Sequence, residues 1–306
     1  AIPQMEKGQY CRRLFLGTLA SGGTLGILIP PSINIIIYGA LTDTSIPELY
    51  LAGIIPGLIL AGLFSLTVVL ACLWRPALGG VRAHHGWGAR LAALVDLAPP
   101  AVLFVIVIGS IYAGLATPTE SAALGVVSAL VLAGLYGRLS LAMQRDALEG
   151  AMQTTAMIML IIMAAFFLNL VLSAIGLPQA VSSFVTGLDY PPTLTLLVIV
   201  GLYLLLGLFL ETLTLMITTV PIIAPVVFAL GYDPVWFGIM LMLLIETALI
   251  TPPVGLNLYV IQGVRGQGRV SDVIYGALPF VLALVAMILL LLAMPQIALW
   301  LPATVY

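Results

Sequence analysis

Two pairs of consecutive prolines, each followed within a few residues by an asparagine, interrupt long apolar stretches of this sequence. The stretches read GGTLGILIPPSIN, ending at Asn34, and ETALITPPVGLN, ending at Asn257. A proline lacks a backbone N–H and clashes with the carbonyl group four residues earlier, so each pair should unwind a helix. The freed carbonyl groups, the two asparagine side chains and the hydroxyls of Ser32 and Thr251 would then supply the oxygen ligands that a small hard cation prefers.

The same breaks create new helix N-termini inside the chain. The N-terminal end of a helix carries a partial positive charge, which suits an anionic group of a substrate. The alternative is that each proline pair is a kink that serves only packing. Two related breaks, each with its own asparagine, favour a binding site over that alternative.

The segment LFLETLTLMITTVPIIAP (208–225) is a third polar cluster inside an apolar span. It contains Glu211 and the threonines Thr212, Thr214, Thr218 and Thr219. A charge at the centre of a bilayer costs about 2.5–3.5 kcal/mol on insertion scales, so an intramembrane glutamate is a functional candidate. The alternative is a glutamate at an interfacial turn, with threonines that bond back to their own helix. Glu246, one turn before the second proline pair, is either a ligand or a group that carries a proton.

The elements that hold these residues must be membrane-spanning helices, because the composition excludes a soluble protein. Of the 306 residues, 62% are hydrophobic and 7% are charged, and the mean hydropathy is +1.22. A soluble domain has roughly 25% charged residues. Long apolar runs without a recurring alternation predict an all-α polytopic membrane protein rather than an outer-membrane barrel. The net charge of −2 gives no indication of nucleic-acid binding, and no GxSxG, HExxH or Walker motif indicates an enzyme.

Nine apolar runs predict helices. They are 13–41, 48–74, 94–115, 121–137, 147–175, 192–210, 213–230, 233–263 and 277–300. The ten lysines and arginines fall in four clusters, which the positive-inside rule places in the cytoplasm. These clusters begin at Lys7, Arg75, Arg138 and Arg265. With this topology the pair 192–230 is either two full spans or a re-entrant hairpin, and the lack of a lysine or arginine near Glu211 favours the hairpin.

Three connecting segments have local patterns. Residues 75–92 should form a polar cytoplasmic loop. Residues 139–151 place apolar and charged side chains on opposite faces, as in an amphipathic helix on the cytoplasmic surface. In ATPTES, Thr117 or Thr119 is expected to cap a helix.

The two proline breaks belong to an internal repeat. Pro3, Tyr10, Phe15, Leu19, Pro30 and Pro31 match residues 222 positions later, and Asn34, Gly53 and Pro56 match residues 223 positions later. Matches between apolar residues are expected by chance in so apolar a chain. Matches of proline, asparagine and glycine are less easily explained by chance, because these residues are scarcer. The first copy begins beside cytoplasmic arginines and the second ends beside them, so the copies should cross the membrane in opposite directions. Such inverted repeats, with broken helices near the bilayer midplane, are typical of secondary transporters.

The repeat divides the chain into predicted regions. Residues 1–56 end the first copy, 57–150 form scaffold spans with the loop 75–92, 151–191 form a connecting span and 192–306 hold the second copy. The second copy contains the hairpin 192–230, the broken helix 233–263 and the last span. The matching hairpin of the first copy would precede residue 1. We therefore expect an N-terminally truncated chain that lacks the first hairpin and the helices before it.

At these motifs the chain resembles the large membrane subunit of tripartite ATP-independent periplasmic (TRAP) transporters, the DctM-like family. The matching stretches are AIPQMEKGQY, GGTLGILIPPSINIIIYG, LAGIIPGL, ATPTESAALG, GLFLETLTLMITTVPIIAPVV, GYDPVWFGI and TPPVGLNLYV. The resemblance implies an elevator-type ion transporter of the bacterial inner membrane. It would import organic acids, such as C4-dicarboxylates, 2-oxo acids or sialic acids, with sodium as coupling ion and no other cofactor. The implied partners are a periplasmic solute-binding protein and a small four-helix membrane subunit.

By the same resemblance, the hairpin tip and the two broken loops hold sodium and the substrate carboxylate. The expected sodium ligands are Ser32, Asn34, Glu211, Thr212, Thr251, Gly255 and Asn257. The expected substrate contacts are Pro31, Ser32, Thr214, Pro253 and Val254. The sequence departs from the family pattern at Leu244, where members often carry Asn, and at Glu211, where many carry Asp. The alternatives are an ion-coupled organic-anion carrier or exchanger that works without a binding protein, and a channel or passive scaffold.

Overall fold

The computed structural model describes residues 8–80, 97–187, 190–266 and 268–305, together with residues 2, 5, 86, 88, 94 and 95. Most of the predicted loop 75–92, Lys7 and Pro3 lie outside the described residues. All the regular structure in the described ranges is helical, which confirms the predicted all-α class.

The helices follow one another closely along the chain. They are α1 (Arg12–Gly22), α2 (Ile33–Thr42), α3 (Ile46–Trp74), α4 (Ala98–Tyr112), α5 (Pro118–Leu135), α6 (Leu141–Ala174), α7 (Leu177–Thr186), α8 (Pro192–Gly207), α9 (Thr212–Ala229), α10 (Pro234–Ile250), α11 (Leu256–Arg265), α12 (Val270–Ala293) and α13 (Gln296–Val305). Two short 3-10 turns cover Leu25–Ile27 and Pro76–Gly79. In the described part of the chain α3, α5, α6, α9 and α12 are long and apolar enough to cross a membrane, as a polytopic protein requires.

The chain forms two compact units. The first consists of Ala1–Arg82 and Leu172–Tyr306, and the second of Ala83–Val171. The first unit therefore contains both proline breaks and the predicted hairpin. The second contains α4, α5 and most of α6.

The centre of the first unit is α10, whose side chains are apolar on all sides except at Glu246 and Thr247. Every residue from Val235 to Ala248 is buried, as expected for a helix without a polar face. Its N-terminus is held by three contacts. Asp233 caps it by accepting from the N–H groups of Val235 and Trp236, the Tyr38 hydroxyl donates to the carbonyl of Pro234 at 2.7 Å, and the Trp236 indole donates to the carbonyl of Leu291 at 3.3 Å.

The same order of elements occurs at both ends of the first unit. In each series a first helix is followed by a proline break, a ten-residue helix and a long helix. These helices are α1, α2 and α3 in the first series, and α10, α11 and α12 in the second. The first helix of each series packs against the long helix of the other. Glycines allow close approach at one crossing, because a Cβ on Gly17 would meet the carbonyl of Gly276, and one on Gly276 would meet the carbonyl of Arg13.

In the second unit α4 packs against α5. The N-cap of α5 is Thr117, and Thr117 and Glu120 bond reciprocally in a capping box, so the cap predicted in ATPTES is confirmed. The Ser110 hydroxyl donates to that of Ser121 at 3.0 Å between the two helices.

Three helices differ from the sequence prediction. The predicted surface helix 139–151 is the start of α6, because strong helix formers let the helix continue without interruption. The predicted helix 277–300 is divided into α12 and α13 next to Pro295, which has no N–H to donate. The ten-residue helix α7 was not predicted, since it is too short and mixed in polarity to stand out as an apolar run.

Candidate functional site

The second proline break, residues 251–255, separates α10 from α11 as predicted. In a continuous helix residue 253 would donate to the carbonyl of Leu249. Pro253 has no N–H, so that carbonyl loses its partner. The bonds Pro30-Pro31 and Pro252-Pro253 are both cis.

The turn from this break into α11 requires glycine. Gly255 has a φ of 38°, in the left-handed region that side chains disfavour. A Cβ there would lie 2.7 Å from the Leu258 side chain and 3.0 Å from the carbonyl oxygen of Thr251. The carbonyl of Gly255 accepts from the N–H of Leu258 at 2.8 Å, within the first turn of α11.

Thr251 bonds back to its own helix, since its hydroxyl donates to the carbonyl of Thr247 at 2.5 Å. This donation leaves the lone pairs of the Thr251 oxygen available to a cation. The Thr247 hydroxyl makes the same kind of bond, to the carbonyl of Leu243 at 2.8 Å.

The first proline break, residues 23–32, separates α1 from α2. It contains the 3-10 turn Leu25–Ile27. Ser32 is 3% exposed and makes no side-chain capping bond to α2, although it occupies the N-cap position where serine usually does so. Asn34 is half-buried and Pro31 is exposed.

A side-chain amide links the helices that flank the two breaks. The side-chain nitrogen of Asn257, in the first turn of α11, donates to the carbonyl of Ala20 near the end of α1 at 3.3 Å. A Cβ on Gly23 would lie 3.7 Å from the same nitrogen. The donation leaves the amide oxygen of Asn257 as a possible ligand.

The predicted hairpin consists of α8 and α9, which are joined by a short turn at residues 208–211. Glu211 is the N-cap of α9, and its carboxylate accepts from the N–H groups of Leu213 at 3.0 Å and Thr214 at 3.1 Å. Both bonds go to the same oxygen, Oε2. The glutamate therefore caps a helix at a turn, which resembles the second of the two interpretations drawn from the sequence. Its other carboxylate oxygen, Oε1, takes no part in the cap.

A cavity of about 120 Å³ lies between the hairpin turn and the second break. Its lining includes Glu211 and Thr212 from the hairpin, and Val254 and Gly255 from the break. A close approach of α8 and α10 supports it from one side, because a Cβ on Gly207 would overlap the side chain of Ala248. The geometry thus brings together residues from two of the three predicted segments.

The other predicted site residues do not line this cavity. Ser32, Asn34, Pro31, Thr214, Thr251, Pro253 and Asn257 are not among the residues that line it. Asn257 bonds to the end of α1, whereas the Thr214 hydroxyl lies 3.4 Å from the Glu211 carboxylate. The Pro253 carbonyl accepts from the Tyr259 hydroxyl at 3.1 Å.

A charged cluster lies at the C-terminal end of α11, away from the second break. Asp272 accepts from Arg13 at 3.1 Å and lies 3.6 Å from Arg265. The Arg265 side chain is 7% exposed. Arg13 also lies over the ring of Tyr275, 5.5 Å from its centroid. The cluster ties the N-terminus of α1 to the connection between α11 and α12.

The sequence profile described as "Tripartite ATP-independent periplasmic transporter, DctM component" matches residues 1–297. A C4-dicarboxylate TRAP transporter large permease protein DctM of Pseudomonas aeruginosa is 35% identical over 305 residues, which cover 99% of this chain and 70% of the relative. A sialic acid TRAP transporter large permease protein SiaM of Vibrio cholerae is 33% identical over 309 residues, covering 98% and 70%. An ectoine TRAP transporter large permease protein TeaC of Halomonas elongata is 33% identical over 302 residues, with the same shares.

The chain therefore belongs to the DctM family, the large permease subunits of TRAP transporters. It is a multi-pass protein of the bacterial inner membrane and a transporter component, not an enzyme. The family works with a periplasmic binding protein and a small membrane subunit. The family resemblance drawn from the sequence motifs is thus confirmed.

Proposed function

We propose that this chain is the transport core of a sodium-driven TRAP importer of organic acids. The observation that carries the proposal is the bond from Asn257 to the carbonyl of Ala20, which links the helix after the second break to the helix before the first break. Beside this junction the hairpin turn and the second break enclose one cavity. Broken helices that meet next to a cavity are the arrangement in which secondary transporters bind ions and substrates.

The chemistry of the residues fits sodium, a hard cation that prefers oxygen ligands. At the second break these are the Thr251 hydroxyl, the Asn257 amide oxygen and the Leu249 carbonyl, which Pro253 leaves without its helical donor. The hairpin turn adds Thr212 and the Glu211 oxygen that does not cap α9. At the first break Ser32 and Asn34 offer the corresponding groups.

The substrate carboxylate is proposed to bind at the N-terminal ends of α11 and α2. The partial positive charge of a helix N-terminus attracts an anion. Pro253 and Val254 lie exposed just before α11, and Pro31 lies exposed just before α2. Thr214, near the start of α9, would contact the substrate from the hairpin.

The membrane topology that goes with this function is an inverted repeat with a re-entrant hairpin. The first series of helices begins beside Arg12 and Arg13, whereas the break and short helix of the second series end beside Arg265 and Arg269. The positive-inside rule then gives the two breaks opposite directions. The α8 helix has 16 residues, or roughly 24 Å, less than the roughly 30 Å of the hydrocarbon core. We propose that the first unit slides against a scaffold as an elevator.

The substrate class and the partners are inferred from the relatives. Their names include C4-dicarboxylate, sialic acid and 2,3-diketo-L-gulonate, which supports an organic acid for this chain. We propose that a periplasmic solute-binding protein delivers the acid and that a small four-helix membrane subunit completes the transporter.

The test is uptake of labelled organic acids into liposomes that contain the full-length protein and its small subunit, with the binding protein outside. We expect accumulation against a concentration gradient only when sodium is higher outside. Asn257→Ala and Asn34→Ala should abolish it. Gln153→Ala, which removes an exposed side-chain amide from α6, is the control and should retain it. Uptake that is independent of sodium, or of the binding protein, would refute the proposal.

A further inference from the structure

One carboxyl group lies fully buried in the centre of the first unit. Glu246, in α10, is 0% exposed, and neither of its carboxyl oxygens has a hydrogen-bond partner among the described residues. None of the ion pairs found in the described ranges includes it. The proposed sodium and substrate site does not use this group, because it does not line the cavity at the hairpin turn.

The hydroxyl groups near Glu246 in the chain or in the packing do not hydrogen-bond to its carboxyl group. The turn Leu25–Ile27 of the first break packs against α10. Thr24, just before this turn, lies beside the carboxyl group, but its hydroxyl donates to the carbonyl of Ser21 at 2.8 Å. The Ser21 hydroxyl is fully buried and also has no partner within the described part of the chain. The neighbouring Thr247 hydroxyl is committed to Leu243. The carboxyl group thus lies where the helix of the second break meets the first break.

The helices packed against α10 carry few titratable groups, and none of these bonds to Glu246. They are Tyr38 on α2, Glu48, Tyr50 and Cys72 on α3, Tyr203 on α8, Tyr259 and Arg265 on α11, and Asp272 and Tyr275 on α12, while α9, α13 and the turn Leu25–Ile27 carry none. The charged side chains of α11 and α12, Arg265 and Asp272, pair with each other. No positive side chain in the described ranges is therefore placed to compensate an ionised Glu246.

We propose that Glu246 is a proton-binding site and is present as the neutral acid when the two breaks are in contact. Removing a carboxylate from water without a cation or hydrogen-bond donors strongly disfavours its ionised form. A proton meets this requirement without any further ligand. Sodium, by contrast, would need several oxygen ligands around it. Ionisable residues buried in membrane proteins commonly serve such proton-carrying roles.

With this site the transport core would bind a proton in addition to the proposed sodium. The proton can leave only when water reaches Glu246, which requires α10 to separate from Thr24 and the first break. A charge on Glu246 would in turn weaken the contact between the breaks. Proton binding is therefore coupled to the junction that Asn257 and Ala20 form.

The direct test is infrared spectroscopy of the full-length protein, purified with its small subunit, at about pH 7. We expect a carboxylic-acid carbonyl band that disappears in Glu246→Gln. The control Glu149→Gln removes an exposed carboxylate that pairs with Arg145, and it should leave the acid band unchanged while reducing the carboxylate band. An unchanged acid band in Glu246→Gln, or a Glu246 carboxylate signal that depends on sodium, would overturn the proposal.

A second measurement uses thermal stability and does not depend on transport. A group that is neutral when folded and ionised when unfolded makes stability fall as pH rises above the value for a free glutamate, about 4.3. We expect the unfolding temperature of the wild type to fall with rising pH more steeply than that of Glu246→Gln. Equal slopes would overturn the proposal. Because neither measurement requires sodium or substrate, failure here is distinct from failure of sodium-driven transport.

Discussion

The side-chain amide nitrogen of Asn257 lies 3.3 Å from the carbonyl oxygen of Ala20, although the two residues are 237 positions apart in the sequence. This bond links α11, which follows the second proline break, to α1, which precedes the first. Asn257→Ala should lower the free energy of unfolding by about 1 kcal/mol, because it leaves a carbonyl group without its donor. Asn257→Asp should cost more, since it places a carboxylate against a carbonyl oxygen. Thermal unfolding of the full-length protein measures both, and Gln153→Ala should be nearly neutral.

The left-handed conformation of Gly255 predicts a large effect of a single methyl group. Gly255→Ala adds a Cβ that meets Leu258 and the carbonyl of Thr251, at a φ of 38°. We expect a loss of about 1–3 kcal/mol of stability. Gly263 lies on the same helix, and an added Cβ there would have no neighbouring atom within 4 Å, so Gly263→Ala should instead stabilise the helix by roughly 0.5–1 kcal/mol. Thermal unfolding compares the two variants, and equal effects would contradict this account of the turn.

The crossing of α1 and α12 depends on two glycines. Gly276→Ala would place a Cβ against the carbonyl of Arg13, and the backbones would have to separate. Overpacking of this kind typically costs about 1–3 kcal/mol. Gly201→Ala on α8 is the matched control, because no atom lies within 4 Å of its added Cβ. Chemical denaturation of the two variants should separate them clearly, and a neutral Gly276→Ala would show that the helices can adjust.

The pairing of Asp272 with Arg13 and Arg265 predicts a stability effect that depends on burial. In Asp272→Asn the nearly buried Arg265 loses its negative partner, and we expect a loss of roughly 1–3 kcal/mol. Glu149→Gln breaks the exposed pair with Arg145, whose side chain is 79% exposed. That change should cost no more than about 0.5 kcal/mol. Similar unfolding temperatures for both variants would show that Asp272 does not stabilise the connection between α11 and α12.

The two roles of Glu211, as cap and as proposed sodium ligand, can be separated by substitution. Glu211→Ala removes the cap of α9 and should cost about 0.5–2 kcal/mol, whereas Glu211→Ser supplies another capping oxygen and should restore most of this stability. If the carboxylate also binds sodium, both variants should require more sodium for half-maximal uptake. A Glu211→Ser protein with wild-type sodium dependence would limit Glu211 to capping.

The sequence predicted the two breaks well, because a proline pair removes two adjacent backbone donors whatever surrounds it. The predicted cap at Thr117 was equally local, since it depends on residues only three positions apart. In both cases the physical cause lies within one turn of the chain. The stretches that resemble the DctM family include both proline pairs and the Thr117 cap.

The arrangement of the site depends on contacts between distant segments, and these were not evident in the sequence. Nothing local indicates that Asn257 bonds to Ala20, or that the cavity at the hairpin turn is lined by Val254 and Gly255 but not by Ser32. The capping role of Glu211 was left open because glutamate is not among the residues usually preferred at an N-cap. For Glu246 the sequence predicted a chemical role, but its complete burial beside Thr24 is a property of the packed helices.

The burial of Trp236 provides an intrinsic optical probe of the transport core. Its indole is 2% exposed and bonds to the carbonyl of Leu291, whereas Trp74 and Trp300 are 85% and 57% exposed. In a protein with Trp74, Trp87 and Trp300 replaced by phenylalanine, fluorescence would come from Trp236 alone. Its emission colour would then shift when solvent reaches the innermost helix, so that conformational cycling could be followed in real time without an attached dye.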